Sequence, residues 1–416
     1  MSTTVAAPAP RTANKTADIL TVSDAYGAHN YHPLPVVIES AKGCYVTDVD
    51  GKKYLDMLAA YSALNFGYSH PRLIDAAKRQ LDKVTLTSRA FHNDQLGPFC
   101  KELCDLTGFE SVLPMNSGAE AVETAIKCAR KWGYLQKGIE ENKAEVICAK
   151  GNFHGRTTTI VSFSTDAQYR KGFGPFTPGF PLVNFGDAAD LERAITKNTA
   201  AFLVEPIQAE SGILVPPDGY MKQVRDICTK HNVLLIADEI QTGLCRTGDL
   251  FAWQHDDARP DIMCLGKALG GGVAPLSCIV TSKKIMSVFT PGDHGSTFGG
   301  NPFACAVGRE AINLIKTLGL DQRARELGEY FRSKLKALNA APIKEVRGRG
   351  LLIGVQIKPE YGNARRFCEA FMAEGILCKD AHEDVIRFAP PLVIEKSDID
   401  WAMDRIGPIL TTMPRI

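Results

Sequence analysis

Lys267 follows the apolar run IMCLG and precedes a glycine-rich stretch in the segment DIMCLGKALGGG. An amine at the end of a core strand needs a reason, because a charged group is costly to bury without a partner. One alternative is an ordinary lysine whose amine reaches water beyond the strand. A Walker A phosphate loop is excluded, since Asp261 and Ala268 stand where that motif requires glycine and Ser or Thr. A covalently reactive lysine remains open.

Asp238 ends a second apolar run, in the segment VLLIADEIQTG. A carboxylate in that position either accepts local backbone hydrogen bonds or meets a buried cation, such as a protonated pyridine nitrogen. Glu205 and Lys267 also stand at or just beyond the ends of apolar runs. Because the carboxyl ends of parallel strands meet at one edge of a sheet, we expect these three side chains to converge on one crevice.

The segment MNSGAEAVETAIK carries the signature of a helix start. Ser117 followed by Glu120 fits a capping box, and the apolar residues that follow recur at helical spacing. Free amides at such a start suit a phosphate held by Ser117, Gly118 and Ala119, although many capped helices bind no ligand. A lysine able to lose its proton, a carboxylate for a ring nitrogen and a phosphate site together describe a pyridoxal phosphate site.

The elements that must position these residues form an α/β pattern. From about residue 110, short apolar runs alternate with helical patterns, which is typical of a mainly parallel sheet covered on both faces. The predicted strands are EVICAK at 145–150, AAFLVEP at 200–206, VLLIADE at 233–239, IMCLGK at 262–267 and SCIVTS at 277–282. The helical spacing between the second and third predicts a right-handed crossover.

We predict four parts along the chain. The first 20 residues are expected to be mobile, within an N-terminal arm over 1–36. A hairpin over 37–60 turns at Asp50-Gly51 and packs with the small domain. A large cofactor-binding domain covers 61–305 and a smaller α+β domain covers 306–416, with helices at about 322–339 and 363–374 and a last helix after Ser397.

Composition restricts the possible partners. The 416 residues include 48 basic and 47 acidic side chains, and this balance gives no footprint for nucleic acid or an anionic membrane. No apolar run could span a bilayer and no signal-peptide core is visible, so we expect a cytoplasmic protein, or a mitochondrial matrix protein if the arm is a presequence remnant. The 12 cysteines include no C-x-x-C pair, and we predict no metal site.

Six motifs occur in the order found in the class III, or ω-type, aminotransferases. They are NSGAEAVETAIK, GNFHGRT, VEPIQAESG, ADEIQTG, LGKALGGG and HGSTFGGNP, which lie between residues 116 and 302, and the resemblance covers nearly the whole chain. Within this family, YGAHNYHPLP, TLTSRAF, ARKWGY, GFGPF and VIRFAPPLVI resemble most closely the members that act on ornithine. The resemblance implies a type I fold with a mainly parallel seven-stranded sheet, a pyridoxal 5'-phosphate cofactor and a homodimer with sites at the subunit interface.

The resemblance also implies a role for each cofactor residue. Lys267 would form the Schiff base with pyridoxal 5'-phosphate, Asp238 would pair with its pyridinium nitrogen, and Gln241 would lie near its ring hydroxyl. Phe153 would stack on the ring. Thr297 would reach the cofactor phosphate of the neighbouring subunit, although a threonine flanked by glycines also suits a simple loop cap.

The implied reaction transfers the δ-amino group of L-ornithine to 2-oxoglutarate. Arg156, helped by Tyr31, would hold the α-carboxylate of ornithine, and Arg387 would hold the α-carboxylate of the keto acid. Glu210 would neutralise Arg387 while ornithine is bound, and Tyr61 would set specificity. Ordinary ion pairing is the alternative for both arginines.

Other activities remain open at this point. Family members that act on N-acetylornithine or 4-aminobutyrate share the catalytic motifs but differ at Tyr31 and Tyr61. An aminomutase or racemase would need no keto acid, and a non-catalytic cofactor-binding protein would not need Lys267. Two positions depart from the pattern of the ornithine enzymes: Ala209 precedes Glu210, and His154 follows Phe153.

Overall fold

The computed structural model describes residues 15–416, so the first 14 residues of the predicted arm lie outside it. We number the helices α1 to α12 in chain order. They are Lys15–Tyr26, Pro71–Leu81, Leu96–Thr107, Gly118–Trp132, Ala167–Arg170, Ala188–Ala194, Tyr220–Lys230, Lys283–Met286, Pro302–Leu318, Leu320–Ala337, Ala364–Ala373 and Lys396–Thr412. Short 3-10 segments cover Ile160–Phe163, Ala252–Asp256, Lys267–Gly270 and Pro359–Tyr361, and a π-helical turn covers Gly133–Lys137.

A seven-stranded sheet forms the centre of the molecule. Its strands lie in the order β4, β10, β9, β8, β7, β5, β6, and β10 alone runs antiparallel to its neighbours. Their bounds are β4 Ser111–Met115, β5 Glu145–Ala149, β6 Leu182–Val183, β7 Thr199–Val204, β8 Leu234–Asp238, β9 Ile262–Leu265 and β10 Ser277–Thr281. Strands β7 to β10 are fully buried, as expected for a sheet covered by helices on both faces. The predicted α/β class is confirmed.

Two smaller sheets complete the fold. One joins β1 (Ile38–Lys42), β2 (Tyr45–Asp48) and β3 (Lys53–Asp56) to β13 (Ile376–Leu377) from the C-terminal part of the chain. The other is antiparallel, in the order β11 (Ile343–Arg349), β12 (Leu352–Ile357), β15 (Val385–Phe388), β14 (Lys379–Ala381). The hairpin turns at Asp50 and Gly51, and Gly51 has a φ of 89° that favours glycine. The division of the chain at residues 36, 60 and 305 stays a prediction.

The N-terminal arm is more regular than predicted. The first 20 residues were expected to lack structure, yet residues 15 to 20 open helix α1. None of its residues is buried, so its apolar side chains give no core-facing pattern that the sequence could reveal. The Thr16 hydroxyl donates to Asp50 in the hairpin turn, which fixes the start of the helix. Within the described residues, no helix is long and apolar enough to cross a membrane.

A left-handed turn follows strand β3. Four consecutive residues have positive φ values, namely Ala59 at 49°, Ala60 at 47°, Tyr61 at 60° and Ser62 at 72°. This conformation is unfavourable for residues other than glycine. The buried carboxylate of Asp56 holds the start of the turn, since it accepts hydrogen bonds from the amides of residues 58 and 59 and from the hydroxyl of residue 68. The backbone thereby carries Tyr61 toward the carboxyl edge of the large sheet.

Candidate active site

Asp238 and Lys267 stand at the carboxyl ends of the neighbouring parallel strands β8 and β9. Asp238 is the last residue of β8 and lies opposite Cys264 in β9, and Lys267 comes two residues after β9 ends. The φ of Lys267 is 45°, so the chain leaves the strand abruptly and presents the lysine at the sheet edge. Glu205 directly follows β7, the next strand in the sheet. The three strand-end residues therefore lie on one edge, as the alternating pattern predicted.

Asp238 is buried and held by a histidine. The Nδ1 atom of His154 lies 2.7 Å from Asp238 Oδ2, and the amide of Ile240 donates to Oδ1 at 3.1 Å. Burial alone would lower the pKa of His154, but the hydrogen bond and charge of Asp238, with the charge of Glu205, outweigh burial and raise it. The sequence marked His154 only as a departure from the family pattern. The structure shows that it orients the carboxylate at the end of β8.

Glu205 lies behind this pair. Its carboxylate accepts a hydrogen bond from the Phe153 amide at 2.9 Å. Burial raises the pKa of Glu205 to about 8, although the charge of His154 opposes the shift. Glu205 thus fixes the backbone of the GNFHGRT segment, which carries both Phe153 and His154.

The amine of Lys267 has no carboxylate to neutralise it. Among the described residues it forms no ion pair, and burial lowers its pKa to about 8, with the charge of Glu210 only partly offsetting the loss of hydration. A substantial fraction of the amine is therefore neutral near physiological pH. A neutral amine is a nucleophile and a base, whereas a lysine that reached water would keep its proton.

The predicted phosphate site is the start of α4. Ser117 caps this helix: its hydroxyl accepts from the Glu120 amide at 3.2 Å, and Glu120 Oε2 accepts from the Ser117 amide at 2.6 Å. Within residues 15–416, the amides of Gly118 and Ala119 have no hydrogen-bond acceptor. A Cβ added at Gly118 would lie 3.1 Å from Ile240, so the helix start packs closely against the segment after Asp238. Two free amides at a helix N-terminus form an anion site.

Glu210 and Arg387 form the closest ion pair of the site, between a buried guanidinium and a partly exposed carboxylate. Arg387 Nη1 lies 2.5 Å from Glu210 Oε1, and Gln241 Nε2 donates to the same oxygen at 3.3 Å. Burial alone would raise the pKa of Glu210, but the charge and hydrogen bond of Arg387 lower it to about 2. The guanidinium carbon of Arg387 lies 4.7 Å from the centre of the Tyr61 ring. Glu210 is therefore ionised and closes Arg387 to other anions.

Arg156, unlike Arg387, forms no ion pair with a described carboxylate. It lies among aromatic rings: its guanidinium carbon is 4.7 Å from the ring centre of Tyr169, 5.0 Å from that of Phe153 and 5.9 Å from that of Tyr31. Its two Nη atoms donate to the hydroxyls of Tyr31 and Tyr169, each at 3.4 Å. Tyr169 was not predicted from the sequence, because it lies in the short helix α5 without a recognisable motif. The aromatic wall holds the guanidinium without neutralising it.

One cavity of about 1010 Å³ brings the substrate candidates together. Six of the predicted residues line it: Tyr31, Tyr61, Phe153, Arg156, Glu210 and Arg387. Thr297 is exposed, and within the described part of the chain it has no hydrogen-bond partner. The neighbouring Ser296 accepts from Asn116, the residue before the helix cap, at 2.8 Å. No group of three or more His, Cys, Asp or Glu side chains among residues 15–416 is placed to hold a metal ion.

These residues fit pyridoxal 5'-phosphate. Gln241 Oε1 and Arg387 Nε are buried without a hydrogen-bond partner within residues 15–416, so the site keeps polar atoms that a ligand would satisfy. The cofactor needs an amine for its aldehyde, a carboxylate for its ring nitrogen and amides for its phosphate. Lys267, Asp238 and the start of α4 provide them. The fold and the site together define a pyridoxal-phosphate enzyme of fold type I.

Comparisons with known proteins agree with this class. The sequence profile described as aminotransferase class-III matches residues 26–410. The chain is 56% identical to ornithine aminotransferase from Macrococcus caseolyticus (strain JCSC5402) over 95% of this chain and 99% of that protein. It is 55% identical to ornithine aminotransferase from Bacillus subtilis (strain 168), over 95% and 98%. The chain belongs to the class-III aminotransferases.

Solved structures show the same fold. Ornithine aminotransferase from Toxoplasma gondii, described with partial occupancy of PLP at its active site, superposes with a TM-score of 0.94 at 46% identity, covering 96% of this chain and 94% of that one. Acetylornithine aminotransferase from Elizabethkingia anophelis superposes with a TM-score of 0.87 at 45% identity, covering 95% and 98%. Fold similarity alone therefore does not separate the two substrates.

The pKa of Lys267 gives a first testable expectation. Capture of pyridoxal 5'-phosphate by the cofactor-free protein should accelerate roughly tenfold per pH unit up to about pH 8 and then level off, because only the neutral amine attacks an aldehyde. The measurement is the rate of the visible absorbance change after mixing, between about pH 6 and pH 10. Butylamine is the control, and its rate should keep rising to about pH 10.5. A protein rate that followed butylamine would contradict the lowered pKa.

Proposed function

We propose that the protein transfers the δ-amino group of L-ornithine to 2-oxoglutarate, giving glutamate 5-semialdehyde, which cyclises to pyrroline-5-carboxylate, and glutamate. One observation carries the proposal: of the two arginines in the cavity, Arg387 is closed by Glu210 and Arg156 is open. A donor with one carboxylate far from its reacting amine fits an open arginine at one end of the site. Because Glu210 closes the other arginine, the site offers no second carboxylate site to a donor that has only one carboxylate.

In the first half of the reaction, the chain's own residues orient ornithine and move a proton. Arg156 binds the α-carboxylate through a planar guanidinium, and the hydroxyls of Tyr31 and Tyr169 hold that guanidinium. The δ-amine is thereby directed toward Lys267. When bound, the cofactor supplies an aldehyde that takes up the amine and a ring that stores the electron pair released at the carbon. Lys267 carries the proton between the substrate and the cofactor aldehyde carbon, and Asp238 favours the charged ring.

In the second half, the same site must accept a dicarboxylate. The distal carboxylate of 2-oxoglutarate takes the place of the ornithine carboxylate on Arg156. Its α-carboxylate then needs Arg387, so Glu210 has to leave the guanidinium. Gln241 already donates to Glu210, and its amide provides a partner for the carboxylate as the ion pair opens. Glu210 therefore acts as a switch between a substrate with one carboxylate and one with two.

Two tyrosines support ornithine over related amines. Tyr31 contributes its hydroxyl beside Arg156, next to the place proposed for the α-amino group of ornithine, and Tyr61, whose ring packs against Arg387, lines the same cavity. An N-acetyl group would need that space, and 4-aminobutyrate has no α-amino group to use it. The direct test adds each amine separately to the cofactor-loaded protein without keto acid and follows the loss of visible absorbance. Fastest conversion by N-acetylornithine would overturn the substrate assignment.

Replacing Glu210 by glutamine tests the switch. The variant should lower kcat/KM for ornithine by about 10 to 100-fold, because an open Arg387 attracts the ornithine carboxylate and presents the wrong amine. The glutamate half-reaction, which needs Arg387 open, should be retained. Single-turnover rates with each amino acid measure both.

A matched control is Glu102→Gln, which removes the acidic partner of Arg309 outside the site, where the two side chains are 2.7 Å apart. It should leave both half-reactions unchanged. Equal losses for ornithine and glutamate in Glu210→Gln would argue against the switch.

We also propose a homodimer in which Thr297 reaches the cofactor phosphate of the neighbouring subunit. Thr297 is exposed, and so are the adjacent Phe298, at 56%, and Phe91, at 73%, in the loop before helix α3. Apolar rings so exposed suit a subunit interface. Sedimentation of the purified protein tests this assembly. The cytoplasmic location and a place in proline formation or arginine breakdown stay predictions.

A further inference from the structure

The segment that carries Tyr31 has almost no support from regular structure. Residues 28–36 form neither helix nor strand, and Tyr31 is 65% exposed. We call residues 28–36 the Tyr31 segment. Its contact with the substrate site is the hydrogen bond from Arg156 Nη1 to the Tyr31 hydroxyl, at 3.4 Å. A bond this long, on an exposed side chain, cannot by itself order nine residues of chain, because fixing the backbone of each residue costs about 1–2 kcal/mol.

Arg365, in helix α11, forms hydrogen bonds with the backbone of the Tyr31 segment. Its Nη1 donates to the carbonyl of His32 at 2.8 Å and its Nη2 donates to the carbonyl of Pro33 at 2.9 Å. The two acceptors directly follow Tyr31 in the chain. Within residues 15–416, Arg365 is the one donor outside the Tyr31 segment that bonds its backbone. These two hydrogen bonds therefore hold the backbone immediately after Tyr31.

The guanidinium itself is held in place. Arg365 Nε lies 2.7 Å from Glu369 Oε1, one turn further along the helix, and the Arg365 side chain is only 14% exposed. All three nitrogens of the Arg365 guanidinium therefore have a partner: Nη1 and Nη2 bond two consecutive carbonyls, and Nε bonds a carboxylate. A lysine has no such fork and could not meet both carbonyls in the same geometry.

We propose that Arg365 is a positioning residue for the substrate carboxylate site, because it fastens the Tyr31 segment to helix α11 and so holds Tyr31 beside Arg156. The naming of ornithine as the affected substrate rests on the proposed function. In this arrangement the carboxylate site is assembled from two distant parts of the chain, the Tyr31 segment and the GNFHGRT segment. The first of them is tied to α11 through Arg365.

The expected signature is a loss of ornithine affinity with little change in the chemical step. If unfastening leaves Tyr31 in place for a tenth of the time, the apparent affinity falls roughly tenfold, since only the competent fraction binds. Lys267 and Asp238 lie on the large sheet and are not touched by Arg365. The rate at saturating ornithine should therefore be retained.

The experiment compares Arg365→Ala and Arg365→Lys with Arg366→Ala in the cofactor-loaded protein. Arg366 is the matched control on the same helix, because it bonds the carbonyls of Tyr361 and Pro414 and no residue of the Tyr31 segment. Hydrogen exchange of the amides of residues 28–36 reports the fastening without reference to activity. KM and kcat for ornithine report its effect on the site.

The proposal expects faster exchange in Arg365→Ala, a smaller increase in Arg365→Lys and none in Arg366→Ala, with KM for ornithine raised roughly tenfold in Arg365→Ala at unchanged kcat. In a Tyr31→Ala background, Arg365→Ala should add nothing, because it acts through that tyrosine. Unchanged exchange, unchanged KM or additive losses would each overturn it. If the unaltered protein does not convert ornithine, the proposed function fails, while the exchange comparison still decides whether Arg365 fastens the segment.

Discussion

Replacing Lys267 by alanine should lower turnover of ornithine by roughly 10⁴-fold and abolish the visible absorbance of the lysine-bound cofactor, because the proposed function makes this side chain both the covalent anchor and the proton carrier. Its surroundings support both roles: the amine is unpaired among the described residues, and burial lowers its pKa to about 8. Absorbance spectra of the loaded protein and the steady-state rate with ornithine and 2-oxoglutarate measure the two losses.

Lys283→Ala is the control for Lys267→Ala. Lys283 opens helix α8 two residues after the sheet strand β10 ends, and it is exposed. Its replacement should alter neither the spectrum nor the rate. Turnover that survived in Lys267→Ala would refute the assignment of this lysine to the chemistry.

Replacing Asp238 by asparagine should slow the ornithine half-reaction by roughly 10³-fold, because under the proposed function the site loses the charge that would stabilise the protonated ring nitrogen of the cofactor. Asparagine keeps the size of aspartate, so the effect isolates the charge. It also weakens the contact with His154, whose raised pKa depends on the hydrogen bond and charge of Asp238. Stopped-flow absorbance measures the rate, and titration of the cofactor-free variant measures the expected weaker cofactor binding.

The matched control for this charge is Asp261→Asn. Asp261 lies at the opposite, amino end of β9, where it pairs with Arg225 at 2.7 Å and accepts the Leu235 amide at 2.7 Å. A similar number of hydrogen bonds is at stake there, so this variant reports the cost of weakening the sheet alone. If Asp261→Asn slowed the half-reaction as much as Asp238→Asn, the role of Asp238 would be structural.

The sheet and its strand-end residues could be predicted because both depend on local patterns. Short apolar runs separated by helical spacing specify parallel strands, and the topology then places Glu205, Asp238 and Lys267 on one edge. The observed strands β5, β7, β8, β9 and β10 lie within or one residue beyond the predicted runs. Strand β4 was not predicted, because Ser111 and Pro114 interrupt its apolar pattern.

Contacts between distant segments could not be predicted in the same way. Tyr169 meets Arg156, and Arg365 meets the carbonyls after Tyr31, only once the whole chain has folded. No spacing in the sequence connects residue 365 with residue 32. The bond from His154 to Asp238 is similar: the histidine follows Phe153 in a recognisable motif, but its partner is 84 residues away. The roles of Tyr169, Arg365 and His154 can be inferred only from interatomic distances in the folded chain, because no sequence pattern connects them with their partners.

The left-handed turn at residues 59–62 was also beyond the reach of the sequence. Glycine and asparagine are the residues that usually adopt positive φ values, but the sequence of this turn is Ala-Ala-Tyr-Ser. Only tertiary contacts, led by the buried Asp56, hold it in that form.

The left-handed turn at residues 59–62 affects both the stability of the fold and the position of Tyr61. Each left-handed residue other than glycine costs roughly 1–2 kcal/mol, a large share of the margin by which a domain stays folded. The cost persists at the point where the backbone delivers Tyr61 to the Arg387 guanidinium, 4.7 Å from the ring centre. Substitutions that relax the backbone there would also free the Tyr61 ring, to which we assign a role in substrate choice under the proposed function. The stability of the fold and the proposed selectivity for one amine therefore make opposite demands on residues 59–62.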